Sequence, residues 1–362
     1  MEVHIYNEPK HVFMKKYVDK DYIGLDVLIR PEFKDSSEFH VEIKPECNTL
    51  VITQEQMSGF NSHVFEFIPD LLTVLERNSK IDTVLVNNPT KLLLNMLSTM
   101  GNVVFHDNFV FSKPSIENIR KISDLFDNNI IGQKKAKNSI LRKLISLQIR
   151  RSTKPLVLLF YGNPGIGKTE TAKFLAKNLY NGDIIREQMS MVGGENSVNY
   201  YKSSKHNEDS FSKKLLNRTS NVLLLDEFAL TSHYFQASFF QLFDEGVYAD
   251  QNFNVDMSNS LIICTTNFTN LNQIYKNIDT ALLSRFDGFI EFTDFTEEEK
   301  VKIIEVNVEK YIDEMSKVYS EKLDKLEIMK EVKQYINQIS NMRNIRKMIE
   351  DVISDLILTD IL

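Results

Sequence analysis

Apolar residues recur along this chain in three different rhythms, and the changes of rhythm mark its parts. Over the first 112 residues the runs are short. Phe39 to Ile43 and Val64 to Ile68 alternate apolar with polar, as strands with one buried face do. Ile81 to Val86 and Val103 to Phe111 are β-branched and apolar, and between them Lys91 to Met100 sets leucines at helical spacing. This predicts a small α/β domain, 1–112, in which no chemical motif stands out. Ser112 to Asn129 changes character: Ser115 is placed to cap a helix, with Glu117 in its first turn. Residues 113–129 therefore read as a connector.

From Ile130 to about Asp294 the order becomes strand, loop, helix, repeated, which signals a parallel sheet with helices on both faces. Strands are predicted at Pro155 to Tyr161, Ile184 to Met189, Val222 to Leu225, Leu261 to Thr265 and Phe289 to Phe292. Val222 to Leu225 and Leu261 to Ile263 are unbroken apolar runs, as central strands buried on both faces require. Beyond Thr293 the spacing turns helical. Val301, Ile304, Val308, Ile312, Met315 and Val318 share one face, and Ile345, Met348, Ile349, Val352, Ile353 and Leu356 share another. The predicted division is 1–112, 113–129, 130–294 and a helical 295–362.

The candidate chemistry lies in the middle part. Gly162-Asn163-Pro164-Gly165-Ile166-Gly167-Lys168-Thr169 is a complete G-x-x-x-x-G-K-T phosphate loop between an apolar strand and a helical run. Glycines let successive backbone N–H groups curl round phosphates, and the following helix turns its positive end toward them. Lys168 would reach the β- and γ-phosphates, and the Thr169 hydroxyl would take one position on Mg²⁺. Downstream, Val222-Leu-Leu-Leu-Asp226-Glu227 ends an apolar strand in two carboxylates at its carboxyl edge, where α/β proteins bind ligands. Asp226 is the second candidate for Mg²⁺, and Glu227 is placed to polarise an attacking water.

With these motifs in order, the chain from about Ile130 onward resembles the AAA+ ATPases of the Clp type, the protein unfoldases and disaggregases. Ile130-Ile131-Gly132-Gln133 is similar to the element that packs adenine, which implies a nucleotide contact for Ile131. Tyr161 to Lys173 resembles the family's phosphate loop with its Thr-Glu-x-Ala-Lys continuation, so Glu170 falls in the binding segment. Asp183 to Ser190 looks like the second strand, Leu224 to Phe228 matches the Leu-Leu-Asp-Glu block, and Phe240 to Gly246 resembles the helix and turn that follow. Ile262 to Asn267 resembles the sensor-1 strand, implying that Asn267 orients the water. Leu282-Leu-Ser-Arg285-Phe-Asp287 resembles the arginine-finger segment, implying that Arg285 acts on a neighbour's ATP. Asn341-Met-Arg343-Asn-Ile-Arg346 resembles the sensor-2 motif, with Arg343 as the sensing arginine and Asn-Met in place of the family's Gly-Ala.

The resemblance implies a P-loop NTPase fold, an AAA+ large subdomain plus helical small subdomain; it does not extend to the small α/β domain that precedes them, which resembles no N-domain of the family. It implies ATP and Mg²⁺ as ligands, ATP hydrolysis, and self-assembly, by family analogy into a six-membered ring. Where the family carries an aromatic pore loop, typically Gly-Tyr-Val-Gly, this chain has Ser197-Val-Asn-Tyr200-Tyr201-Lys-Ser-Ser-Lys205-His206. The flanking glycines are missing, so an exposed tyrosine pair touching substrate and a segment packed on its neighbour are both open. An Ile-Gly-Phe-like protease-docking tripeptide is also missing between Asn267 and Ala281. Two functions remain in view: remodelling of a protein substrate or adaptor-bound client recruited by residues 1–112, or an ATP-gated oligomeric switch that recruits a partner.

Composition narrows the setting. The 362 residues are 42% hydrophobic and 26% charged, ordinary globular usage, with net charge 43 − 50 = −7. That balance argues against duplex DNA as a partner. The basic stretch Lys134 to Arg151, with Lys202 and Lys205, reads as solvated helix face, so nucleic-acid remodelling is a third and weaker reading. Two cysteines, Cys47 and Cys264, fit a reducing compartment. The opening Met-Glu-Val-His-Ile-Tyr lacks signal-peptide character, and no run approaches the ~18 apolar residues of a membrane span. The expectation is a cytoplasmic protein without membrane contact.

Overall fold

A computed structural model describes residues 1–29, 47–60, 62–191, 195–203, 205, 207–315, 324–336 and 341–361. It contains two five-stranded parallel sheets. The first is ordered β2-β3-β4-β1-β5, from β1 (Glu2–Tyr6), β2 (Tyr22–Gly24), β3 (Thr49–Thr53), β4 (Thr83–Asn87) and β5 (Val103–Phe105). Val3, Ile5, Leu50, Ile52, Val84 and Val86 bury one face under helices that include Ile68–Asn78 and Lys91–Leu97. The Lys10–Tyr17 helix covers the other face over Tyr6, Val51 and Leu85, through Phe13.

Two local expectations change here. Val64 to Ile68 is helical, split between Ser62–Glu66 and Ile68–Asn78. Val64 and Phe65 are adjacent yet both buried, with Ile68, Leu71 and Leu72 continuing the stripe, which is a helical spacing and not a pleat. The strand expected over Val103 to Phe111 stops at Phe105; beyond it the chain runs irregularly, held by His106 N–H to the Ile5 carbonyl and Phe109 N–H to the Asn7 carbonyl. The strand expected at Phe39 to Ile43 lies outside the described residues, as do Val318 and His206.

The second sheet is ordered β12-β6-β11-β8-β7, from β6 (Leu156–Tyr161), β7 (Ile185–Gln188), β8 (Val222–Asp226), β11 (Leu261–Thr265) and β12 (Gly288–Glu291). A separate hairpin pairs β9 (Val247–Ala249) with β10 (Asn254–Asp256). Each predicted strand of this sheet is present within two residues of its expected ends. What the sequence could not show is that β11 inserts between β6 and β8, although it follows both in the chain. In register, Thr265 lies beside Phe160 and Gln188 beside Asp226, so the functional ends of β6, β7, β8 and β11 share one edge.

The Ile116–Asn129 helix is more than a tether. Ser115 caps it with a reciprocal box to Asn118, and Ile119, Ile122 and Phe126 bury into the core shared by the second sheet and the C-terminal helices. That core also takes Ile303, Ile304 and Val308 from helix Glu297–Met315, Ile328 and Val332 from Lys325–Gln334, and Ile345, Ile349 and Ile353 from Met342–Ile361. No helix among the described residues is long and apolar enough to cross a membrane. Phe126 is fully buried and meets Phe174 edge-on at 5.7 Å. Phe126→Ala should therefore lower the stability of this unit by about 3–5 kcal/mol, read as a shift of its denaturant midpoint; a shift under about 1 kcal/mol would mean that the helix is only a linker.

Candidate nucleotide-binding site

The phosphate loop leaves the carboxyl end of β6 and enters helix Lys168–Tyr180. Gly162 sits at φ +131°, and a Cβ there would come within 2.3 Å of the Phe292 carbonyl, so only glycine fits. Gly165, at φ +75°, packs against the Asn341 side chain. Ile166 is buried and pins the loop to the core, while Asn163 donates to the Asp294 carboxylate at 2.9 Å. Gln133, buried just after Ile131, clasps the loop to the end of β12. Its amide donates to the Ile166 and Thr293 carbonyls, and its oxygen accepts from Thr293 N–H.

A cavity of about 260 Å³ opens over the loop. Its lining brings together Pro164, Gly165, Gly167, Lys168, Thr169, Glu170, Asp226, Glu227, Asn267 and Arg343 from the residues singled out in the sequence. Arg186, Gln188 and Arg346 line it as well. Ile131 does not line it; it is partly buried against the core below. Arg285 stands apart, bonded to Asp244 at 2.6 Å and stacked over Phe240 at 4.5 Å.

Lys168, Asp226 and Glu227 each have partners at this edge. Lys168 Nζ donates to the carbonyls of Gly162 (2.6 Å) and Asn163 (2.7 Å) and to Asn267 Oδ1 (3.2 Å). The Asp226 carboxylate accepts from Thr265 Oγ1 at 2.5 Å, from Arg186 Nε at 3.0 Å and from Thr169 Oγ1 at 3.4 Å. Glu227 accepts from Gln188 Nε2 at 2.7 Å, and its backbone N–H reaches Thr265 Oγ1. It also sits at φ +59°, a conformation that costs a non-glycine residue on the order of 1–3 kcal/mol and turns the carboxylate off the strand toward the cavity.

Oxygen donors from Thr169 and Asp226 suit a hard cation such as Mg²⁺. Among the described residues no cluster of three or more His, Cys, Asp or Glu could hold a metal alone, so phosphate oxygens would complete the shell. Bound there, Mg²⁺ would neutralise charge between the phosphates. Arg186 and Gln188 escaped the sequence reading. Their one sequence signal was an alternating polar pair in the strand beside Asp226.

The structure distinguishes the two alternatives left open for the tyrosine pair. Tyr200 and Tyr201 lie on helix Glu195–Lys202, and both hydroxyls donate to the Glu187 carboxylate, at 3.1 and 3.2 Å. Tyr201 is buried against Phe211 and Phe235. Burial and Glu187 raise both phenol pKa values well above their ordinary range. Aromatic packing and a buried acceptor draw the pair inward, so the packed-segment alternative describes this structure.

Comparison with known proteins agrees with this geometry. Residues 154–314 match the family described as AAA domain (Cdc48 subfamily). The ClpL ATP-binding subunit of the ATP-dependent Clp protease from Staphylococcus aureus strain MRSA252 is 30% identical over 206 residues, 49% of this chain and 29% of that protein. The ClpL subunit of strain bovine RF122 is 29% identical over the same shares. The S. cerevisiae Hsp104–ADP complex superposes with a TM-score of 0.53 at 19% identity, over 68% of this chain and 48% of that one, which supports the fold. The chain thus spans less than a third of these ClpL proteins and about half of the Hsp104 chain. The second sheet and its phosphate loop have the fold of an AAA+ P-loop module. Within that class, about half of the chain is similar to the Clp-type ClpL subunits.

Burial pulls the Lys168 ammonium down from 10.5 to about 8; Arg343 adds to the shift, while Asp226 and Glu227 oppose it. Phosphate favours the charged form, so binding takes up a proton wherever free Lys168 is neutral. Affinity for ADP should be level below pH about 8 and fall about tenfold per unit above it, read by fluorescent-nucleotide titration. Lys168→Arg should lose that slope; a wild-type affinity level to pH about 9.5 would contradict the assignment.

Proposed function

We propose that this chain binds MgATP at the phosphate-loop cavity and hydrolyses it within a ring of its own copies. The observation that carries the reading is the convergence of Lys168, Thr169, Asp226, Glu227, Asn267 and Arg343 on one cavity. Lys168 and the loop hold the phosphates; Thr169 and Asp226 hold Mg²⁺. Glu227, released from Gln188, polarises the water, and Asn267 orients it. Arg343 and its helix report on the γ-phosphate. Arg285, outside its own cavity, serves the neighbouring subunit's site. Residues 1–112 recruit a protein substrate or adaptor in the cytoplasm, and hydrolysis remodels it. Membrane and nucleic acid have no part in this reading.

The inward packing of Tyr200 and Tyr201 favours a second reading, an ATP-gated switch that assembles and recruits a partner without threading polypeptide. A fluorescent unfolded protein distinguishes the two: a motor consumes it with ATP, whereas a switch binds partners and leaves it intact.

Mass photometry with an ATPase assay tests the shared core. Glu227→Gln should assemble with MgATP while turnover drops by at least about 100-fold. Arg285→Ala alone should also be slow, yet mixing it with Glu227→Gln should restore activity, because each supplies the group the other lacks. A wild type that hydrolyses ATP as a monomer, or mixtures that stay inactive, would remove the trans role of Arg285.

A further inference from the structure

A second cavity, of about 250 Å³, lies where the first sheet meets the β9–β10 hairpin, and it shares no lining residue with the nucleotide site. Its position follows from topology. The chain leaves β1 into the Lys10–Tyr17 helix on one face, and leaves β4 into the Lys91–Leu97 helix on the opposite face. β1 and β4 are neighbours, so their departing loops part at the carboxyl edge and open a crevice. Such switch points are where open parallel sheets take ligands.

The crevice is built and polar. Glu8 and Asn88 line it at 7% and 2% exposure. The Asn88 side chain donates to the Glu8 carbonyl at 2.7 Å, on a backbone at φ +49°. Yet Glu8 Oε1 and Asn88 Oδ1, both buried, meet no donor among the described residues. Native proteins rarely leave such acceptors unpaired. The cations nearby are already committed: Arg218 to Asn221 and to the Leu215 and Asp256 carbonyls, Lys91 to the Asp250 carbonyl, and Lys16, whose charge acts on Glu8, to Tyr17. Unpaired acceptors without free cations call for a donor and not an anion. Phe109 and Phe253 add flat apolar wall, and the volume falls below the ~300–1,000 Å³ of drug-sized sites.

We propose that this cavity is a second ligand site, for a small planar molecule presenting at least two N–H donors on one edge: a guanidinium, an amidine or an amino-substituted base. Glu8 and Asn88 accept from that edge, and the hairpin closes over it.

The test is saturation-transfer NMR on the full chain held in excess MgADP, which fills the phosphate-loop site. Agmatine, benzamidine and cytosine are the donor-edged probes, and uracil is the donor-poor control. At least one donor-edged probe should bind with a Kd below about 1 mM and uracil more than about tenfold more weakly. Glu8→Gln and Asn88→Ala should each weaken that binding about tenfold. Asn254→Trp, at the exposed rim, should block it while leaving MgADP affinity unchanged. Failure of all three probes to saturate by about 10 mM, or equal binding to Asn254→Trp, would overturn the proposal.

Discussion

The rest of this structure depends on one constraint: charged groups drawn out of water at the carboxyl edge of the second sheet must each be partnered. Lys168 folds back on the loop carbonyls, Asp226 is held by Arg186 and two hydroxyls, and Glu227 is held by Gln188. Those partners come from β7, from β11 and from the loop and helix that follow β6, and they meet carboxylates at the end of β8, so the edge exists only when the sheet is assembled in this order. The Arg186 guanidinium stands where positive charge is wanted beside Asp226. A metal arriving with nucleotide would meet a site already shaped for a cation, and one that has a rival for the same carboxylate.

Much of this was legible in the sequence because the chemistry is local. The phosphate loop needs its glycines at fixed spacing, and Asp226-Glu227 needs a buried strand just before it; both constraints act over a few residues. Apolar runs likewise located the strands of the second sheet, since being buried on both faces removes polar positions. The parts that could not be read are long-range. Nothing in Leu261 to Thr265 states that it inserts between β6 and β8, so the residues alone did not place Asn267 against Lys168; only the family resemblance put it at the same site. Arg186 and Gln188 look like solvent positions until β7 is seen beside β8. Val64 to Ile68 was misread because a short apolar run fits either period, and the neighbouring helix settled it. The sequence left the tyrosine pair open between exposed and packed, because its acceptor, Glu187, lies on another element and is itself buried.

The helical part reaches the nucleotide cavity at the phosphate loop. Met342 N–H donates to the Gly165 carbonyl at 3.0 Å, and Asn341 packs on the same glycine. Arg343 and Arg346 follow in the next turn and face the cavity. The same helix buries Ile345, Ile349 and Ile353 in the core that also anchors Phe126. One continuous helix thus links the loop at Gly165 to the core that also holds the helix leading back to the first sheet.

Strand β7 shows what alternation does to a strand with work on both sides. Arg186 and Gln188 turn one way, to Asp226 and Glu227; Glu187 turns the other, to the hydroxyls of Tyr200 and Tyr201 and to the Lys214 ammonium. From the tyrosine-bearing helix, only two hydrogen bonds and one peptide unit separate the phenols from the carboxylates that line the cavity. The strand thus joins the two faces of the sheet by one short path, along which tension on one side would reach the charges on the other.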